Sequence, residues 1–208
     1  MKSLLMPVLL AALTAPAAHP RAQAAPATPH APAVYAVAFR TTSGSFTIEV
    51  HRDWAPRGAD RFYALVQSGY FTGDAFFRVV PGFVVQWGLN PDPKQSAVWE
   101  HAPLPDDPVL QSNSPGMVSF AASGPHSRTA QIFVNLGQNA RLDRLGFAPF
   151  GRVTSGLNVV AHVDSEYGER PDQKQILAHG AAYLTHNFPG LDVIYAATLL
   201  PAAPSSHP

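Results

Sequence analysis

The sequence predicts a mainly β fold, an eight-stranded antiparallel barrel whose open ends are plugged by two main helices. Three observations carry this. About eight short runs are rich in β-branched and aromatic residues, only two main stretches repeat apolar residues at helical spacing, and strands and helices do not alternate as a parallel sheet requires. No internal repeat at a solenoid or propeller period competes with that reading. At 208 residues, 46% hydrophobic and 13% charged, the chain has room for one ordinary globular domain.

Val34 to Arg40 and Ser45 to Val50 flank Thr42-Ser43-Gly44 and read as an opening hairpin. Pro56 introduces a helix in which Phe62, Leu65 and Val66 fall on one face, and Gly69 is its stop. Phe76 to Val80 and Phe83 to Trp87 flank Pro81-Gly82, a type II turn signal in which proline presets φ and glycine supplies a positive φ. Strand side chains alternate faces. Arg78 is therefore expected beside Phe76 and Val80, and Gln86 beside Val84, so that Arg78 and Gln86 border one apolar surface. Leu89 to Asn113, with Pro91-Asp92-Pro93 and Pro105-Asp106-Asp107, reads as a long surface loop. Met117 to Ala121, Gln131 to Asn135 and Phe150 to Val153 add strands. Ser155 is placed to cap the second main helix, where Leu157, Val159, Val160 and Val163 are apolar. Ala178 to Asn187 reads as a short third helix and Asp192 to Leu199 as the closing strand.

The ends of the chain differ in character from this middle. Lys2, the apolar run Leu4 to Leu13 and Ala22-Gln23-Ala24 follow the pattern of a secretory signal peptide over residues 1–24. The run is far shorter than the roughly 20 residues of a spanning helix, and prolines interrupt it, so cleavage is favoured over a membrane anchor. The processed protein is expected to be exported, periplasmic or secreted, with no membrane attachment. Residues 25–33 form an Ala/Pro-rich linker and 201–208 a disordered tail, which leaves 34–200 as the folded domain. No cysteine is present, so neither a disulfide nor a lipoprotein acylation site exists, and stability rests on core burial. Fourteen basic residues, mostly arginine and scattered, balance fourteen acidic ones, which argues against a nucleic-acid partner. A monomer is expected.

The run Phe76-Phe77-Arg78-Val79-Val80-Pro81-Gly82-Phe83-Val84-Val85-Gln86 sets one arginine and one glutamine into otherwise apolar strands. Here the chain resembles the cyclophilin family of peptidyl-prolyl cis-trans isomerases, whose signature reads F-x-R-x-x-P-G-F-x-x-Q. All six fixed residues are present. A second block, Ser119-Phe120-Ala121-Ala122-Ser123-Gly124-Pro125 with Gln131-Ile132-Phe133, is similar to the family's central strand, substrate loop and next strand. A third, Leu142-Asp143 followed by Phe150-Gly151-Arg152-Val153, resembles its L-D…F-G-x-V. The tract Asn139 to Gly151 resembles a bacterial branch, and the resemblance as a whole runs from Val34 to Leu200.

The resemblance implies a cyclophilin-like barrel that accelerates X-Pro isomerisation in exported proteins as they fold, acting on proline-containing segments of unfolded or partner proteins. Unaided, that rotation crosses about 18–20 kcal/mol and takes tens to hundreds of seconds. Reaching about 100 per second needs roughly four decades, or about 5–6 kcal/mol. No bond breaks, so no nucleophile, metal or cofactor is required. By resemblance Arg78 is the donor to the prolyl nitrogen, and Phe83, Val84, Phe133 and Leu142 form the proline pocket, with Phe147 near the place of a pocket histidine or tyrosine. Gln86 and Gln131 would hold the substrate backbone, and the main chain at Ala121 and Ala122 would pair with it. Three positions depart from the family. Val84 stands for a common methionine, Ala122 for asparagine and Arg141 for tryptophan; the last implies weak binding of the cyclic peptide drug that gives the family its name.

Other readings explain less. The nine histidines show no H-x-H or H-E-x-x-H spacing, no G-x-S-x-G elbow exists, and a phosphate-binding glycine loop is absent. An apolar-ligand carrier leaves Arg78 and Gln86 unexplained. Arg78 held only by a buried carboxylate, and Phe83 and Phe133 as plain core, are the structural alternatives. A non-catalytic proline-segment binding or chaperone module is the functional one.

Overall fold

Alternation of apolar and polar residues builds the sheet. In β1 (Val34–Thr41) Tyr35, Val37 and Phe39 point inward, and in β2 (Gly44–His51) Phe46, Ile48 and Val50 do so. The two strands pair with Phe39 opposite Phe46, whose rings stack 4.8 Å apart. The computed structural model describes residues 29–201, and within it the remaining strands are β3 (Arg78–Val80), β4 (Val84–Trp87), β5 (Met117–Phe120), β6 (Ile132–Asn135), β7 (Pro149–Ser155) and β8 (Ile194–Leu199). Their order is β3-β4-β6-β5-β7-β2-β1-β8, with every neighbouring pair antiparallel. The sheet curls until its ends meet. Ala75 bridges Val193, Phe76 N–H donates to Asp192 O at 3.0 Å, and Ile194 N–H to Asp74 O at 2.8 Å.

Helix α1 (Pro56–Gln67) has Pro at its start, where a missing N–H costs nothing. Its next two N–H groups, of Arg57 and Gly58, donate to the Asp107 carboxylate at 3.1 and 2.9 Å, so a distant residue caps it. Its apolar face buries Phe62 and Leu65, with Phe62 5.0 Å from Phe150 and 5.7 Å from Phe71. The predicted barrel and first helix are thus found.

Several expectations are corrected. Leu89 to Asn113 is no surface loop: it contains α2 (Pro93–Glu100), which buries Ser96 and Trp99. The start of α2 is a local signal, for the Asp92 side chain accepts from Lys94 N–H at 2.9 Å and Pro93 follows it. Ser155 ends β7 and does not cap α3 (Leu157–Ala161); Gly156 does, and α3 has only five residues. The expected third helix is two, α4 (Gln173–His179) and α5 (Ala181–Asn187). They break at Gly180, whose φ of 56° and ψ of −137° belong to neither, and where a Cβ would lie 2.0 Å from Pro91 O. These two helices share a small core with Ala75, Phe77 and Leu89, apart from the main one. Among the described residues five α-helices therefore surround the barrel, of which α1 alone has three turns.

β3 begins at Arg78 and not at Phe76. The chain is still bonded to Asp192 at Phe76, so the pleat does not run through, and Phe76 packs into the main core 5.3 Å from Trp87 while Arg78 faces outward. The expected shared face of Phe76 and Arg78 is absent. The expected signal peptide over residues 1–24, residues 25–28 of the expected linker and residues 202–208 of the expected tail lie outside the described residues. Of the linker's remainder, Ala31 is buried and donates its N–H to Asp60 Oδ1 at 2.9 Å, so the folded unit starts before Val34.

Candidate active site

The site forms on the outer face of β3, β4 and β6. β4 is buried throughout, because Val85 and Trp87 enter the main core while Val84 and Gln86 lie under a second cover of loops. The Pro81-Gly82 turn is closed by Phe83 N–H to Val80 O at 2.9 Å, with φ of 72° at Gly82, and it sets Arg78 opposite Gln86 in register. Arg78 Nη1 donates to Gln86 Oε1 at 3.1 Å, and Gln86 Nε2 to Gln131 Oε1 at 2.9 Å. The Arg78 guanidinium carbon lies 5.5 Å from the Phe83 ring centre, and that of Arg141 lies 4.7 Å from it.

All ten residues expected from the sequence line one cavity of about 350 Å³. Val84, Phe133 and Leu142 form its apolar floor, a cluster separate from the main core, with Phe83, Ala121 and Phe147 packed around it. Phe147 meets Phe133 edge to face at 5.7 Å. Gln86 and Gln131 line the polar side beside Arg78, and Ala122 continues from Ala121, whose N–H is bonded to Gln131 O at 2.9 Å. Phe133 is therefore a wall of this cavity and not plain barrel core. The carboxylate on Arg78 is Glu169, which accepts from Nε at 2.7 Å and is 60% exposed, so the arginine is not held by a buried acid.

Sequence reasoning missed Glu100, Ser127, Thr129 and Gln173, which also line the cavity. Glu100 comes from α2 and accepts from Thr129 Oγ1 at 2.6 Å. The Asp92-Pro93 start signal was the clue to it. Behind the loop, buried Arg128 donates to Asp107 at 3.0 Å, which ties the substrate loop to the start of α1. Arg61 donates to Thr129 O at 2.9 Å and to Ala102 O at 2.8 Å and lies over the Trp99 ring. Burial lowers its pKa to about 10, with Arg128 nearby adding to the effect, and it stays charged at neutral pH.

A buried amide network holds the apolar wall. Asn113 Nδ2 donates to Asp143 Oδ1 and to Phe147 O, both at 2.8 Å, while its Oδ1 accepts from Ser119 Oγ and Asn135 Nδ2. Asn139 Nδ2 bonds Asn135 Oδ1 at 2.8 Å and Phe83 O at 2.9 Å. The short 3-10 helix Ala140–Leu145, which carries Leu142 and Arg141, is thereby joined to β5, β6 and the turn. Burial pushes the Asp143 carboxyl up, but donors from Ser112 and Asn113 outweigh it and leave it below the ordinary value. Among the described residues no group of three or more His, Asp or Glu is placed to hold a metal.

Comparison with known proteins agrees with this geometry. Residues 36–180 match the family described as cyclophilin type peptidyl-prolyl cis-trans isomerase/CLD. A peptidyl-prolyl cis-trans isomerase of Streptomyces antibioticus is 33% identical over 132 residues, 60% of this chain and 80% of that protein. A peptidyl-prolyl cis-trans isomerase-like protein of Aspergillus niger is 36% identical over 130 residues, 60% of this chain and 78% of its own. In fold, a cyclophilin type isomerase of Cryptosporidium parvum superposes with a TM-score of 0.60 at 19% identity, over 82% of this chain and 99% of that one. A cyclophilin of Hirschia baltica does so with the same score and identity, over 81% and 75%. With its signature strands paired, its cavity assembled and most of its length matched, the chain belongs to the cyclophilin-type peptidyl-prolyl cis-trans isomerases.

Proposed function

We propose that this enzyme speeds X-Pro isomerisation in exported proteins during folding, with Arg78 as the group that lowers the barrier. The observation that carries this is Arg78 held by Gln86 at the rim of a cavity floored by Val84, Phe133 and Leu142. A proline ring seated on that floor brings its amide to the guanidinium. As the C–N bond twists, its nitrogen pyramidalises and gains a lone pair, and a donor placed there stabilises the twisted state more than the planar one. The apolar walls act in the same direction by disfavouring the more polar planar amide. Gln131 and the main chain at Ala121 and Ala122 hold the flanking peptide. The Cryptosporidium parvum relative was crystallised in the presence of the dipeptide Ala-Pro, which supports proline-containing segments as partners.

The export context rests on the Lys2, Leu4 to Leu13 and Ala22-Gln23-Ala24 pattern. It implies a periplasmic or secreted protein, free of the membrane once cleaved, for which a monomer is the default expectation. The test is conversion of a short X-Pro peptide by wild type and Arg78→Ala. A catalytic constant that falls by about a hundredfold or more with little change in peptide affinity supports the reading. Equal losses of rate and affinity would make the domain a proline-binding module instead. N-terminal sequencing of the protein recovered outside the cytoplasm tests export, with Ala25 the expected first residue.

A further inference from the structure

Arg78 is gripped from two sides. Gln86 takes one N–H on Nη1, and on the opposite edge Oε1 of Glu169 accepts from Nε at 2.7 Å, with Nη2 in the same ion pair. A guanidinium has five N–H donors, so these two hydrogen bonds leave others available at the cavity that Arg78 lines. The carboxylate is delivered on a built mount. β3 is an edge strand, and the turn from Ser165 to Arg170 pairs with its free side through Val79 N–H to Gly168 O at 3.0 Å. The turn is closed by Gly168 N–H to Ser165 O at 3.1 Å. Tyr167 fastens it below, with its ring edge to face on Phe188 at 5.3 Å and its hydroxyl donating to Pro189 O at 2.7 Å. At the foot, Asp164 N–H donates to Asp192 Oδ2 at 2.8 Å, beside the seam of the barrel. None of the motifs that carry the family resemblance includes this turn.

We propose that Glu169 is a positioning residue for Arg78, fixing the Nε edge of the guanidinium so that the remaining donors meet the twisting prolyl amide. The inference rests on Arg78 being the catalytic group. An arginine side chain carries large rotamer entropy, and one tether from Gln86 leaves the plane free to turn. A second, side-on tether removes that freedom before substrate arrives. Because Glu169 is 60% exposed, the pair is screened by salt and its effect is moderate.

The experiment is a cycle of wild type, Glu169→Gln, Arg78→Ala and the double variant, with Glu169→Asp as the conservative change. kcat and KM are measured on one X-Pro peptide at low and high ionic strength, and the thermal midpoint is recorded for each. Glu169→Gln is expected to lower kcat about three- to tenfold with KM within about twofold and an unchanged midpoint, Glu169→Asp less so. Added salt should lower kcat of the wild type but not of Glu169→Gln. In the Arg78→Ala background Glu169→Gln should cost nothing further. An unchanged or higher kcat in Glu169→Gln, or an equal loss without Arg78, would overturn the inference while leaving Arg78 as the catalytic group. An Arg78→Ala variant with wild-type rate would overturn both.

Discussion

Gln86 donates from Nε2 to Gln131 Oε1 at 2.9 Å while its own Oε1 accepts from Arg78, so one buried amide couples the guanidinium on β3 to the residue just before β6. Both ends of that amide are committed, which fixes its orientation and leaves the Gln131 amide pointing toward the cavity. Gln86→Leu keeps the volume and breaks both bonds. It is expected to lower kcat for an X-Pro peptide about tenfold and to raise KM, since donor and backbone holder lose their common tether. Wild-type constants in this variant would show that the chain of side chains has no part in turnover.

Arg141 lies with its guanidinium carbon 4.7 Å from the Phe83 ring centre, on the 3-10 helix that also carries Leu142. A charged, exposed group therefore lies on Phe83, a lining residue of the pocket, at a position where the family resemblance implies a flat indole. Weak inhibition by the cyclic peptide drug that names the family is expected. Arg141→Trp should tighten it by about tenfold or more, since an aromatic surface replaces a cation that must be desolvated. Strong inhibition of the wild type would contradict this account of the rim.

What the sequence made legible was what neighbours in the chain decide. Pro81-Gly82 sets its own turn, so Arg78 opposite Gln86 could be read from eleven residues. Phe76 could not, because its face is set by Asp192, more than a hundred residues away. Glu169 follows the same logic: its turn is held by β3 and by Phe188 and Pro189, none of them local. α2 was legible at its start through Asp92-Pro93, yet its prolines and aspartates also fit a loop, and only the burial of Trp99 against Arg61 decides the matter. The proline pocket was legible through family resemblance, whereas the amides behind it are single asparagines with no pattern of their own.

Asn113 is the hub of those amides. Its side chain makes four hydrogen bonds with no exposure to water, and Asn113→Ala would strand partners on Ser119, Asn135, Asp143 and Phe147. The expected loss is about 3–5 kcal/mol, more than a cap or a surface pair can account for. Denaturant unfolding measures it. A loss below about 1 kcal/mol would mean that the partners find replacements and that the network does not hold the wall.

Asp74 lies at the barrel seam, fully buried, and neither carboxyl oxygen has a hydrogen-bond partner of normal geometry. Burial raises its pKa well above the ordinary value, and the Gly88 N–H only partly opposes this. In the unfolded chain the group ionises near about pH 3.9. Between that value and the raised one the folded state holds a proton that the unfolded state has lost, so stability falls as pH rises, by at most about 1.4 kcal/mol per unit. Asp74→Asn has a similar shape and cannot ionise. Its stability relative to wild type should therefore grow from pH 5 to pH 8 in denaturant unfolding, whereas removal of a salt-bridged carboxylate would leave the difference nearly flat over that range. Parallel curves for the two proteins would show that Asp74 ionises alike in both states, and the buried acid would then have to be paired with a donor that the seam does not provide.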